Sequence, residues 1–519
     1  MRVRNHVRPD FAAAPAHDRV DLRTVTPERA ATDLLDEKRS RELCAIPLAL
    51  QGESVLVAVA DPGAAAAVGE ALGRPVTIAV ADRADILATI DRTYRALIGI
   101  DQQVRAFEAR DVLRRDTARA ETPAAAGEDA PVVHVVSLMI TQGLRDRASD
   151  IHVEPQSERV RVRYRIDGVL HDVLDLPGSM GPAVVSRVKI LAGMNIVERR
   201  RPQDGQISMD VEGRAVDIRV ASTPVVGGEK VVMRLLDKSR PLFRLPQLGM
   251  PEETAERYSA VLTSPYGMVI CAGPTGSGKT TTLYGSLGEL DNAERNIMTI
   301  EDPVEYTMPS INQIQINEQT GVTFADGLRS ILRQDPDVIL VGEVRDADTA
   351  RIAVQSALTG HFVLSSLHAT DAASALHRLL DMGIEPFLIA SSVTAVVSQR
   401  LVRQICRRCS EYYRPSPAEM SFLDSLGAGA PPGGFVRGAG CNFCAHTGFL
   451  GRTGVYELMP VTEGIRELVL RSAPHREIHG LARREGMRTL QDEALRLVAT
   501  GTTTPGEVLR SIYLNGGTR

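Results

Sequence analysis

The residues best equipped for chemistry form the run Gly273-Pro274-Thr275-Gly276-Ser277-Gly278-Lys279-Thr280-Thr281. Glycines at 273, 276 and 278 let successive backbone N–H groups turn toward one point with no Cβ in the way. Such a nest, opening onto a helix N-terminus, holds polyphosphate oxygens. Lys279 is then placed to reach β- and γ-phosphates, and the Thr280 hydroxyl to take one position on Mg²⁺. The spacing Gly-x-x-x-x-Gly-Lys-Thr carries this meaning only between a strand and a helix. Both are expected here: Met268–Ala272 is an unbroken apolar run, and a helical pattern follows Lys279.

Cleaving a γ-phosphate also needs an oriented water and further neutralisation of charge. Three polar tips supply candidates, each following an apolar run: Glu301 after Asn296–Ile300, Glu343 after Val338–Val341 and Gly342, and His368 after Phe362–Leu367. In a doubly wound parallel sheet all strand C-termini open on one edge, where ligands bind. Linear order therefore gathers Lys279, Glu301, Glu343 and His368 around one phosphate. Glu301 is assigned to the nucleophilic water and Glu343, with Thr280, to Mg²⁺. Gly342 stands where a metal-holding aspartate is conventional. His368 is placed to sense the γ-phosphate, whereas His361 reads as structural.

A second constellation is Cys406-Arg-Arg-Cys409 with Cys441-Asn-Phe-Cys444. Two Cys-x-x-Cys knuckles make a tetrahedral thiolate site suited to Zn²⁺. Four protein ligands leave no open position, so the metal is expected to be structural. Cys44 and Cys271 stand alone and read as small core residues.

The elements that must position these groups come from 519 residues, enough for three or four domains. Residues 1–98 read as a small α/β domain suited to docking, with strands at Ser54–Ala60 and Val76–Val80 and a helix over Ala84–Leu97. Thr26-Pro27 is expected to cap a helix running through Leu34 and Leu35. Residues 99–131 read as a linker. Residues 132–245 form an α+β domain in which Arg161, Arg163 and Arg165 alternate with buried-face residues Val160, Val162 and Tyr164. Some arginines of this domain are candidates to reach a phosphate. Residues 246–400 are the nucleotide core. Residues 401–519 hold the cysteines, a Pro/Gly-rich insertion over Gly427–Gly434, and helices at Ile465–Leu470, His475–Arg484 and Leu490–Leu497.

Composition narrows the classes. Apolar content of 43% and charged content of 24% describe an ordinary globular chain. A net charge of −5 and the absence of Trp argue against nucleic acid as a direct partner. Met1–His6 leads into no apolar core, so no signal peptide is expected, and no run is long enough to span a bilayer. A cytoplasmic location follows, with membrane contact only through partners.

Taken together the motifs resemble the secretion ATPases of type II secretion systems and type IV pilus assembly, the GspE/PilB-like family. The resemblance runs from about residue 132 to the C-terminus. It rests on Ser149-Asp-Ile-His-Val-Glu-Pro155, the phosphate loop, Thr299-Ile-Glu-Asp-Pro-Val-Glu-Tyr306, Leu332 through Gly342-Glu343-Val-Arg-Asp346, Leu358-Thr-Gly-His361 with Leu364-Ser-Ser-Leu-His368, the tetracysteine element, and Gly451-Arg-Thr-Gly-Val-Tyr-Glu457. It implies a RecA-like P-loop NTPase core preceded by a PAS-like α+β domain that clamps nucleotide. It also implies a homo-hexameric ring, ATP and Mg²⁺ as cofactors, and arginines near the phosphates, here Arg219 and Arg234. Gly342-Glu343 is the expected third-strand pattern of that family. An inner-membrane platform protein and a docking protein are the implied partners. The first hundred or so residues resemble the family's docking domain loosely, and the Arg-Leu-Gly-type repeats with which some relatives bind cyclic di-GMP are not found. The implied work is assembly of a pilus or pseudopilus, or protein secretion. A DNA-uptake pseudopilus motor, a nucleic-acid-translocating ring and a nucleotide-gated scaffold without turnover are the competing readings.

Overall fold

The structure, a computed structural model, describes residues 19–22, 25, 27–94, 100–117, 130–237, 244–291, 293–429, 431 and 433–513. It divides into two compact units: the described part of Met1–Ser239 with Cys406–Cys409 and Ala439–Gly448, and Arg240–Ile405 with Ser410–Gly438 and Phe449–Arg519.

In the first unit a three-stranded sheet, Ala45–Gln51, Ser54–Val59 and Val76–Val80, packs against short helices at Glu37–Leu43, Ala65–Leu72 and Arg83–Thr93. The first strand was not expected, because it follows its helix with only Cys44 between them. Cys44 adopts a left-handed conformation (φ 46°) that ends the helix and turns the chain straight into the strand. The first helix covers only Arg29–Thr32, short of Leu34 and Leu35, and Thr26 lies outside the described residues.

After the Ile100–Thr117 helix, which occupies much of the expected linker, comes an antiparallel six-stranded sheet. Residues 118–129 of that linker lie outside the described set. The sheet order is Val169–Pro177, Arg159–Ile166, Asp150–Pro155, Gly228–Asp237, Arg214–Val225, Gln203–Val211. Helices Pro131–Arg145 and Gly181–Leu191 bury one face, where Val160, Val162 and Tyr164 lie in a core with Met139 and Val184. The alternate arginines are paired within the sheet, Arg161 with Asp172 and Arg163 with Glu154. A guanidinium forked onto a carboxylate serves the sheet face, so Arg161 and Arg163 are engaged in pairing between strands.

The second unit is built on a seven-stranded sheet in the order Asn312–Gln315, Ile297–Glu301, Val338–Val341, Phe362–Leu367, Gly267–Ala272, Val393–Ile405, Phe449–Pro460. All pairs are parallel except the last. The phosphate-loop strand is buried at every position, with Met268, Ile270 and Ala272 in one core and Val269 and Cys271 in the other. Burial on both faces is why such strands read as continuous apolar runs. The sheet does not stop at residue 400: Val393–Ile405 and Phe449–Pro460 extend it. Gln399, Arg400 and Arg403 hid the first of these, and its antiparallel partner lies beyond the cysteines. C-terminal helices run Glu463–Leu470, His475–Arg484 and Leu490–Ala499. Positions 430 and 432 of the Pro/Gly-rich insertion lie outside the described residues. Among the described residues no helix is long and apolar enough to cross a membrane.

Candidate functional site

The phosphate loop links the Gly267–Ala272 strand to the Lys279–Leu290 helix. Gly276 (φ 75°) and Gly278 (φ 90°) take left-handed backbone, which a Cβ would strain. At Gly273 close approach decides: a Cβ would stand 2.5 Å from Ser277 Oγ and 2.7 Å from the Gln399 carbonyl. Thr275, Gly276 and Thr280 are exposed, Pro274, Gly278 and Thr281 partly so, and Ser277 is buried. Lys279 is 9% exposed, its Nζ donating to the Gly273 carbonyl at 3.0 Å and that of Pro274 at 3.1 Å. Burial pushes the ammonium below the ordinary lysine range, against the pull of Cys271 and Glu343. A polyphosphate beside it would supply the counter-charge its surroundings leave incomplete.

Glu343 and His368 share this environment. In register, Ala272 pairs with Leu367 and Val341 with Ser365, so both tips leave the sheet on the loop's edge. His368 Nε2 lies 3.8 Å from Glu343 Oε1. Burial raises the Glu343 carboxyl, but its hydrogen bond to Arg345, with the charges of Arg345, His368 and Lys279, outweighs that and holds it below the usual range. Burial and the Lys279 charge lower His368, keeping its imidazole neutral at neutral pH. Arg345 was missed as a site residue; it lies two positions after Glu343 and bridges that carboxylate to Asp302. For Mg²⁺ the donor chemistry fits, since an exposed hydroxyl at Thr280 and an ionised carboxylate at Glu343 are hard oxygen ligands.

Glu301 behaves differently. It is 3% exposed and accepts from Tyr284 Oη at 2.6 Å, Thr299 Oγ1 at 2.6 Å and Gln313 Nε2 at 3.2 Å. Both carboxylate oxygens accept hydrogen bonds from protein groups, which makes Glu301 an internal anchor here, whereas the role expected of it at the nucleophilic water calls for a carboxylate open to the loop. Its side chain enters the layer between its strand and the Lys279–Leu290 helix that carries Tyr284. Tyr284, the group that holds it, carried one signal, an aromatic on the buried face of the helix after the loop. His361 Nδ1 lies 3.0 Å from the Ser356 carbonyl and 3.3 Å from Thr359 Oγ1, at the start of the strand rather than at its tip.

In the first unit Arg219 and Arg234 stand directly opposite each other on neighbouring strands. Arg234 Nε donates to Asp150 Oδ1 at 3.0 Å, and its side chain remains 59% exposed. Asp150 also accepts from Ser149 Oγ at 2.8 Å, which shows what the Ser149–Pro155 motif anchors.

The four cysteines converge. Their sulfurs lie within 4.8 Å of one another, with Cys406–Cys441, Cys409–Cys444 and Cys441–Cys444 each at 3.8 Å. A tetrahedron with Zn–S of about 2.3 Å has S···S edges of about 3.8 Å, so the site fits zinc. The N–H groups of Cys441 and Gly448 donate to Cys444 Sγ, both at 3.2 Å, as expected around a thiolate ligand. When bound, the ion supplies a structural cross-link between the knuckles.

Comparison with known proteins agrees with this geometry. A family model described as Type II/IV secretion system protein matches residues 125–510, and one described as MshEN domain matches residues 14–99. The chain is 47% identical over 383 residues to the type II secretion system protein HxcR of Pseudomonas aeruginosa, covering 74% of this chain and 78% of that protein. It is 40% identical over 502 residues to the type IV pilus assembly ATPase PilB of Myxococcus xanthus, covering 94% and 88%. Among solved structures, the ATPase DotB of Legionella pneumophila superposes with a TM-score of 0.54 at 20% identity, over 74% of this chain and 96% of that one, a likeness of fold.

Proposed function

The chain belongs to the type II/IV secretion system protein family, and on that premise we propose how its residues drive an envelope-spanning machine. It is an ATP-hydrolysing motor enzyme on a RecA-like core, with ATP as substrate and Mg²⁺ as cofactor. The observation that carries the site is the meeting of Lys279, Glu343 and His368 on one sheet edge. In our reading the loop N–H groups and Lys279 bind the β- and γ-phosphates, and Thr280 helps hold Mg²⁺. That ion, when bound, neutralises developing phosphate charge. Glu343, ionised and open to the loop, would share the hold on Mg²⁺ with Thr280 and also takes over the orientation of the attacking water first expected of Glu301; neutral His368 offers a hydrogen bond to the γ-phosphate. Arg345 keeps the Glu343 carboxylate ionised and aimed. Arg219 and Arg234 are proposed to approach the phosphates from the α+β domain, for which the exposure of Arg234 is the support.

The work is assembly of a pseudopilus for protein secretion, by a ring of six copies in the cytoplasm acting through a membrane platform protein. The identity to type II secretion relatives supports that machine. Pilus assembly is the second reading, favoured by the length of the PilB match, which includes the N-terminal domain. The test is phosphate release by the purified chain. Lys279→Ala is expected to abolish turnover with the fold retained, and unchanged turnover would sink the site. Addition of the cytoplasmic part of the platform protein from each kind of machine separates the two readings by which one stimulates turnover.

A further inference from the structure

We infer that Gln399, braced by Arg400, is a positioning residue for nucleotide: it sets the curvature of the phosphate loop from beneath without touching the ligand. The inference rests on the nucleotide reading above.

Gln399 lies on the Val393–Ile405 strand, beside the phosphate-loop strand. Register pairs Ala272 with Ser398, so Gln399 comes one step later, where the loop leaves the sheet. Its side chain is 1% exposed and both ends of its carboxamide are used. Nε2 donates to the Ser277 carbonyl at 2.7 Å, and Oε1 accepts from the Cys271 thiol at 3.1 Å. Cys271 lies before the loop and Ser277 near its end, so one amide ties together the two limbs that the loop must hold at a set separation.

The rest of the residue fits the same task. The Gln399 carbonyl stands 2.7 Å from the Cβ position of Gly273, and its Nε2 3.1 Å from that of Gly278. The loop's first and last glycines are thus demanded by Gln399 as much as by phosphate. Pinning the Ser277 carbonyl downward turns the N–H of the same planar peptide, that of Gly278, to the opposite side, which is the side a nest presents to an anion. The amide meets both needs with its two ends, because the carbonyl requires a donor and the thiol an acceptor. A carboxylate would face the Ser277 carbonyl with a second acceptor.

Arg400 fixes the amide's backbone. Its Nη1 donates to the Gln399 carbonyl at 3.0 Å and its Nη2 to the Thr370 carbonyl at 2.7 Å, two residues beyond His368. It is 6% exposed, so this brace is held inside the protein. Loop and histidine tip therefore hang from neighbouring residues of one strand.

The test measures ADP affinity of the full chain by calorimetry, and ATP turnover at saturation, for Gln399→Met, Cys271→Ala and Cys271→Ser. Gln399→Met preserves length but removes both hydrogen bonds. It is expected to weaken ADP about tenfold while kcat stays within about twofold, since the reacting groups are untouched. Cys271→Ala frees one end of the amide and is expected to weaken ADP about threefold. Cys271→Ser restores a donor to Oε1 and should bind as the native chain does. If Gln399→Met does not fold, the Cys271 pair carries the test. A Gln399→Met chain that binds ADP normally, a fall confined to kcat, or a serine variant as weak as the alanine variant would each overturn the inference. Native chain that binds no ADP would instead defeat the nucleotide reading itself, whereas native binding lost in Lys279→Ala leaves that reading standing.

Discussion

Replacing Glu343 by Gln and, separately, Tyr284 by Phe sets the two strand-end glutamates against each other. The Glu343 side chain is a quarter exposed, and its ion pair with Arg345 lies at a surface where such pairs contribute roughly 0–1 kcal/mol. Glu343→Gln should therefore shift stability by no more than about 1 kcal/mol. A group that orients the attacking water accounts for about 10²–10⁴ in rate, or roughly 3–5 kcal/mol of barrier. Turnover at saturating ATP should fall by that factor with ADP affinity near native. Tyr284→Phe inverts the pattern. It removes the 2.6 Å donor to Oε2 of a carboxylate that is 3% exposed, while Thr299 and Gln313 still serve Oε1. Loss of a hydrogen bond to a buried charged group costs about 1.5–3 kcal/mol. Phosphate release at low temperature should remain within a few-fold of native, and the urea midpoint for loss of ADP binding should drop. Glu343→Gln retaining most of its turnover would refute the role given to Glu343. Tyr284→Phe abolishing turnover at unchanged stability would show that Glu301 is not the structural anchor described.

Gly273→Ala should abolish ADP binding in the folded chain, because the added Cβ meets Ser277 and the Gln399 backbone at under 3 Å; calorimetry checks it. Metal analysis should find one zinc per chain, lost in Cys441→Ser, and strong chelation should lower the thermal midpoint of the native chain but not of that variant. Glu457 tests pH dependence. Burial, with the Asp371 charge, pushes its carboxyl up to about 7 despite N–H donors from Ala372 and Leu490. A folded value above the ordinary one means the folded chain holds this proton more tightly. Its contribution is therefore complete below the ordinary glutamate range and lost as pH rises through about 7. Glu457→Gln should gain on the native chain by roughly 1–3 kcal/mol between pH 5 and pH 8, read from urea unfolding at each pH. A constant difference across that range would contradict it.

Much of the site was legible in the residues themselves. The glycine spacing, the unbroken apolar strands and the paired cysteines encode local geometry: a backbone without Cβ, a strand buried on both faces, a tetrahedron of thiolates. One topological rule then carried Lys279, Glu343 and His368 to a common edge, because parallel strands end on the same side. What spacing cannot encode is the direction a side chain takes once distant elements close around it. Glu301 and Glu343 look alike in the chain, each at the end of an apolar run. Tyr284 from the phosphate-loop helix and Gln313 from an edge strand claim the first, whereas Arg345 and the open loop edge leave the second available. Gln399 lies more than a hundred residues from the loop it supports, on a strand masked by its own polar residues. Its meaning exists only in the register that sets Ser398 beside Ala272, a pairing made by the packed sheet and by nothing local.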